Sequence, residues 1–169
     1  MAYAIILAAG AGTRMKSERP KVAFKVLGKP LVRWVVDAVF EAGCDEVVTV
    51  IGNGHEQVEP LVSDTTIAYQ TEQLGTAHAV MQAADKLQGR KGSVVVLSGD
   101  SPFISSATIV NLIEERENAG ASAVVLTQIA EDPTGYGRII RDEAGCVQGI
   151  VEEKDCTPEQ AQVRECNSS

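Results

Sequence analysis

The chain has 169 residues, 44% of them hydrophobic, 4% aromatic and 22% charged, which excludes a disordered or fibrous polymer and fits one domain of ordinary size. A formal net charge of −8 argues against nucleic acid or an anionic membrane as the main partner. No apolar run reaches the roughly 18 residues of a membrane span, and the opening Met-Ala-Tyr lacks the basic region of a secretory leader, so a cytoplasmic location is expected.

In chain order, residues 3–8 form a continuous apolar run that enters a loop at Gly10 and Gly12, the pattern of a buried parallel strand. Residues 30–42 repeat apolar groups at helical spacing, with Pro30 suited to the first turn and Gly43 to the C-terminal cap. A strand at 46–51, a short helix at 54–62 and a short strand at 66–69 follow. The spacing then predicts a helix over 77–88 with Thr76 at its N-cap, a strand over 93–98 ending in Gly99-Asp100, and a helix over 106–118 after Ser105. A strand over 122–129 closes the alternating part. Strands alternating with helices imply right-handed crossovers and a mostly parallel, Rossmann-like α/β sheet covered on both faces. Beyond residue 130, Asp132-Pro-Thr-Gly135 reads as a turn, and strands over 136–141 and 146–152 form a hairpin around Asp142-Glu-Ala-Gly145. A short helix over 158–162 and a strand over 163–166 end the pattern, with no interdomain linker, so residues 1–169 read as one domain.

The charge is unevenly spread. Residues 1–33 carry seven bases and one acid, and the remaining 136 residues carry eight bases and 22 acids. A basic segment in an acidic chain suits a small anion, the alternative being a solvated basic face. Cys44, Cys146, Cys156 and Cys166 include no Cys-x-x-Cys pair and the histidines are only His55 and His78, so reduced thiols are expected rather than a zinc site or disulfide framework. His78 is expected to pack or face solvent in the first turn of its helix.

In an open α/β sheet the ligand binds beyond the carboxyl ends of the strands, which here are the loop after residue 8 and the corner at Asp100. Gly10-Ala-Gly-Thr-Arg-Met15 departs from a dinucleotide fingerprint at its sixth position, and Gly10 to Ser17 misses the second glycine of a Walker loop. With its bases the loop still suits phosphate bound by backbone N–H groups and cations, the alternative being a plain strand-to-helix turn. Asp100 ends an apolar strand, where a Mg²⁺ ion or the N-terminus of the next helix would be its partner. Asn167-Ser-Ser spells a glycosylation acceptor, a weak signal without a leader.

Leu7-Ala-Ala-Gly-Ala-Gly-Thr-Arg-Met15 with Pro20-Lys21 resembles the signature loop of the sugar-1-phosphate nucleotidyltransferases. Gln70-Thr-Glu-Gln-Leu-Gly-Thr-Ala-His78, Gly99-Asp100-x-Pro102, Gly135-Tyr-Gly-Arg138, Val151-Glu-Glu-Lys-Asp155 and Asn167 follow in the order of one branch. That branch is the N-terminal uridyltransferase domain of the bacterial bifunctional N-acetylglucosamine-1-phosphate uridyltransferase/glucosamine-1-phosphate acetyltransferases. The resemblance implies uridylyl transfer from UTP to N-acetylglucosamine-1-phosphate, giving UDP-N-acetylglucosamine, a cell-wall precursor, and pyrophosphate. Lys21 and Arg14 would be catalytic; Leu7, Ala8, Ala9, Gly10, Gly12, Gln70, Gln73, Gly75 and Thr76 would hold the nucleotide; Gly137, Glu152 and Asn167 the sugar; and Asp100 the Mg²⁺. An amide such as Gln70 suits uracil, which presents an N–H between two carbonyls. Strand alternation would set Glu152 and Lys154 on one face and Glu153 on the other.

In the family the domain runs on beyond the position of Ser169 and supplies a second metal ligand, an Asn. The chain is therefore expected to be C-terminally truncated and to bind nucleotide with little turnover. The alternatives are another sugar-1-phosphate nucleotidyltransferase or a non-catalytic nucleotide-sugar binding fragment. The family's trimer makes a homo-oligomer an open expectation.

Overall fold

The computed structural model describes residues 1–10, 12 and 17–167. The chain divides into two compact units, Met1–Ala121 and Ser122–Ser169.

The first unit contains β1 (Ala2–Ala8), β2 (Lys25–Val26), β3 (Lys29–Pro30), α1 (Leu31–Glu41), β4 (Glu46–Ile51), α2 (His55–Val58), β5 (Thr66–Tyr69), α3 (Thr76–Gln82), β6 (Ser93–Ser98) and α4 (Ser106–Asn118). Four of its strands form a parallel sheet in the order β5-β4-β1-β6. Ile5 lies opposite Val48 on one side and Val96 on the other, so β1 runs through the middle. Because side chains alternate along a strand, β1 feeds two separate cores. Ala4, Ile6 and Ala8 pack with Val32, Val35, Val36 and Val39 of α1 and Ile109 of α4. On the opposite face Ile5, Val48 and Val50 pack with Ala79 of α3 and with Ala83 just beyond it. Each fully buried valine of this kind contributes about 1.5 kcal/mol or more. This two-faced burial is why β1 and β4 read as unbroken apolar runs rather than alternating ones. At the sheet's β6 edge, however, Val94 and Val96 remain 47% and 44% exposed.

The second unit holds β7 (Thr127–Ile129), β8 (Arg138–Arg141), β9 (Val147–Val151) and β10 (Glu165–Asn167), an antiparallel sheet in the order β7-β10-β8-β9. The hairpin expected around Asp142 joins β8 to β9. Asp142 Oδ1 accepts from the Ala144 and Cys146 amides at 3.0 and 2.8 Å, an Asx turn that closes the loop.

The elements are shorter than their apolar patterns in several places. The helix expected over 54–62 is a single turn, α2, followed by a 3₁₀ turn at Glu59–Leu61, where Pro60 lacks the N–H that an α-helix needs. The helix expected over 77–88 stops at Gln82, with a 3₁₀ turn at Ala84–Lys86. Only Thr127–Ile129 of the strand expected over 122–129 is paired. The expected helix at 158–162 is a 3₁₀ turn, Gln160–Gln162, and the final strand is Glu165–Asn167. Pro30 sits at the cap before α1 and in β3, because β2 and β3 form a small ribbon that the sequence pattern does not announce. Ser105 caps α4 as expected, its side chain accepting from the Thr108 amide at 3.1 Å. Gly75, not Thr76, occupies the cap of α3, and Thr76 is the first helical residue with no side-chain cap bond.

Candidate active site

Lys21 begins a 3₁₀ turn, Lys21–Ala23, set by the extended backbone of Pro20 and closed by the Ala23 amide on Pro20 O at 2.9 Å. Val22 and Ala23 anchor the turn in the core, while the Lys21 side chain stays 45% exposed. Gly12 approaches this turn so closely that an added Cβ would lie 2.9 Å from Lys21 Cβ, and its φ of +57° is costly for a residue with a side chain. Gly12 is therefore packed directly against the lysine turn.

Opposite stands the end of β6. The Gly99 amide donates to Leu7 O at 2.8 Å, carrying the ladder one residue past Ser98 and bringing Asp100 to the carboxyl end of β1. Lys21 Nζ donates to Asp100 Oδ2 at 2.5 Å and Ser98 Oγ donates to Asp100 Oδ1 at 2.6 Å. Partial burial pushes the Asp100 carboxyl up, but hydrogen bonds from Lys21 and Ser98 and the lysine charge outweigh it, leaving the group below the usual carboxylate range. Asp100 is thus an ionised oxygen donor beside a cation. Sequence reasoning missed Ser98, although strand alternation two residues before Asp100 puts it on the same side.

Other bases of the N-terminal segment are engaged elsewhere. Lys29 pairs with Asp37, and Arg33 reaches both Asp37 and Asp64, the latter at 2.7 Å. The expected concentration of free positive charge is to that extent neutralised within the chain. Arg14 lies outside the described residues, as do Ala11 and Thr13.

The nucleotide residues expected around β5 come together. Gln70 follows β5, its amide donating to Ile51 O at 2.8 Å, and its side chain is buried at 6% exposure. Gln70 Nε2 donates to Gly75 O at 3.1 Å and lies 3.1 Å from His78 Nδ1. Gln73 Nε2 donates to Ala9 O at 3.0 Å, tying the segment before α3 to the loop after β1. Leu7 and Ala8 end β1 just below, and Gly10 is exposed with open space where a Cβ would stand. His78 is neither simply packed nor simply solvated. Both ring nitrogens face amides, Nδ1 toward Gln70 and Nε2 toward Gln82, each at 3.1 Å. The His78 and Gln82 spacing of i, i+4 is legible on a helix; the eight-residue reach to Gln70 is not.

In the second unit, Gly137 and Asn167 adjoin. The Gly137 amide donates to Asn167 Oδ1 at 3.0 Å, and a Cβ on Gly137 would lie 2.9 Å from Ile150 Cγ2 and 3.0 Å from Asn167 Oδ1. Glu152 does not join them through any hydrogen bond among the described residues. β9 ends at Val151 and Glu153–Asp155 form a 3₁₀ turn, so the expected alternation of Glu152 and Lys154 against Glu153 breaks down. It is Glu153 that reaches this region, accepting from the Gly135 amide at 2.8 Å and lying 3.4 Å from Arg138 Nη2. Arg138 is 3% exposed and its Nε has no partner among the described residues.

Among the described residues no group of three or more His, Cys, Asp or Glu side chains is placed to enclose a metal. Among the described residues no helix is long and apolar enough to cross a membrane.

Gly12 against the Lys21 turn, the Asp100 carboxylate beyond β6 and the buried Gln70 amide beyond β5 thus lie at the carboxyl ends of the parallel strands. The profile of the family described as MobA-like NTP transferase domain matches residues 4–155. The chain is 53% identical over 97% of its length to Bifunctional protein GlmU of Caldanaerobacter subterraneus subsp. tengcongensis. It is 49% identical over 98% to that of Enterococcus faecalis and 52% identical over 98% to that of Geobacillus thermodenitrificans. It spans 36% of the length of each of these relatives. With nine-tenths of its sequence inside the profile, the chain belongs to the MobA-like NTP transferase family.

Proposed function

We propose that the chain transfers a uridylyl group from UTP to N-acetylglucosamine-1-phosphate, forming UDP-N-acetylglucosamine and releasing pyrophosphate. The observation that carries the reading is the Lys21–Asp100 contact at the ends of β1 and β6, with Gln70 and Gln73 gathered at the neighbouring loop. The sugar-phosphate oxygen forms a bond to the α-phosphorus of the nucleotide as the bond from that phosphorus to the pyrophosphate oxygen breaks. Such a transfer needs positioning and charge neutralisation more than covalent catalysis. Lys21, half-exposed at the glycine loop, is the group that exchanges Asp100 for the phosphoryl oxygens and takes up their developing charge. Gln70 reads the uracil edge, and Gly137 with Asn167 provides a sugar-binding surface in the second unit.

Asp100 fits a Mg²⁺ ion on its own chemistry: it is an ionised, hard oxygen donor, and Mg²⁺ is usually held by one or two carboxylates plus substrate phosphates. Bound there, the ion would neutralise phosphate charge. Asp100 would hold it while Ser98 keeps the carboxylate oriented.

Calorimetric titration with UTP and CTP in the presence of Mg²⁺, paired with a pyrophosphate-release assay using N-acetylglucosamine-1-phosphate, tests the proposal. The expected result is tighter UTP binding, because cytosine places an unprotonated nitrogen where uracil has N–H, a mismatch costing about 1 to 3 kcal/mol. Equal affinities would remove Gln70 from base reading. Pyrophosphate release that ignored the sugar phosphate would overturn the acceptor.

A further inference from the structure

The hydrogen bonds around His78 pose a problem of donors and acceptors whose solution assigns this residue a task. A neutral imidazole has one nitrogen that accepts and one that donates. Both His78 nitrogens, however, face amide nitrogens, that of Gln70 at Nδ1 and that of Gln82 at Nε2. One glutamine must therefore turn its oxygen toward the ring. Gln70 cannot do so without loss: it is buried at 6% exposure, and a reversed amide would set its oxygen against the Gly75 carbonyl. Gln82 is only half-buried, so its amide can turn or be solvated, giving up a 3.2 Å bond to its own helix at His78 O. The ring is thus the Nε2–H tautomer, with Nδ1 accepting from Gln70.

Both protons of the Gln70 amide are then used internally, one on Gly75 O and one on His78 Nδ1. Its Oε1 receives no hydrogen bond among the described residues. It is also not sealed in, since Arg138 Nε is the one fully buried side-chain nitrogen or oxygen without a partner among them. What Gln70 shows to a ligand is therefore an acceptor alone.

We propose that His78 is a positioning residue for base recognition: by accepting from Gln70 Nε2 it locks the amide with its oxygen outward, so that the site selects a base carrying a ring N–H, as in uracil, over one carrying a lone pair there, as in cytosine. This rests on the reading that Gln70 faces the base and deepens it. His78 touches no substrate and acts through Gln70 and Gly75.

The first test is independent of any nucleotide. ¹⁵N-detected NMR of the His78 ring in the free protein should show a protonated Nε2 and an unprotonated Nδ1; a protonated Nδ1 overturns the proposal. The second compares His78→Leu, which removes the acceptor, with His78→Asn, whose Oδ1 restores one at about the same place. The ratio of UTP to CTP affinity should fall by roughly tenfold in His78→Leu and return toward that of the unaltered protein in His78→Asn. An unchanged ratio in His78→Leu, where the unaltered protein does discriminate, overturns the role of His78 and leaves that of Gln70 intact. A ratio of one in the unaltered protein overturns the base reading itself. Loss of affinity for both nucleotides alike in His78→Leu would mark the residue as structural support.

Discussion

Lys21 and Asp100 hold each other, and this fixes what removing the lysine should do. Their side chains are 45% and 27% exposed, a setting in which ion pairs contribute about 0 to 1 kcal/mol. Lys21→Ala should therefore change thermal stability by no more than that, while lowering the proposed transfer by on the order of a hundredfold through loss of a transition-state charge. A variant that melted several degrees early yet kept its turnover would make Lys21 a structural residue. A second ion pair gives a pH dependence. Arg141 forks onto Glu165 with two bonds of 2.7 Å, and together with Thr127 it lowers the Glu165 carboxyl from 4.5 to about 2. Because the folded value lies below the unfolded one, the stabilisation is complete above about pH 4.5 and disappears as the pH falls through about 2. Acid unfolding should accordingly separate Glu165→Gln from the parent at pH 5 and not at pH 2. An equal gap at both values would remove the pair from the acid transition.

Helices and strands differ in how plainly they announce their ends. The Ser105 cap was readable because a hydroxyl before an apolar helical stretch has one common use, and its bond to the Thr108 amide follows. Ser105→Ala should cost about 1 kcal/mol, seen as a lower denaturation midpoint with an unchanged slope. The β2–β3 ribbon was not readable, since two-residue strands carry no periodicity. Its turn is also unusual: Leu27 adopts a φ of +52° while 88% exposed, a conformation that suits Asn far better than Leu. With no packing to lose, Leu27→Asn should raise stability by about 0.5 to 1 kcal/mol, measured by denaturant titration. A destabilised variant would mean that the exposed leucine has a partner in solution. The misjudged end of α3 has a similar origin, because Gly75 and Thr76 are both acceptable cap residues and composition does not choose between them.

For the molecule as a whole, the parallel sheet was legible because strands buried on both faces become continuous apolar runs, as in Ile5-Ile6 and Val47-Val48. The second sheet was legible only at the Asp142 hairpin. β7 and β10 are three residues each, and their pairing joins segments more than 30 residues apart, which no local pattern encodes. The site divides in the same way. Asp100 ends a strand and could be placed from the order of elements, Lys21 and Gln70 were singled out by the family resemblance, and Ser98, His78 and Glu153 act through contacts made only on folding. The exposed pair Val94 and Val96 on β6 bears on how the protein behaves in quantity rather than on how it recognises a ligand. A β-branched, uncharged strand at the border of a sheet is a template for another such strand, and encounters between copies grow with the square of concentration. The parent should show rising light scattering as it is concentrated, and Val96→Lys should suppress it by placing a charge on that border. Equal scattering from the two would mean that solubility is limited elsewhere; a clear difference would make one valine the practical ceiling on how concentrated a solution of this protein can be kept.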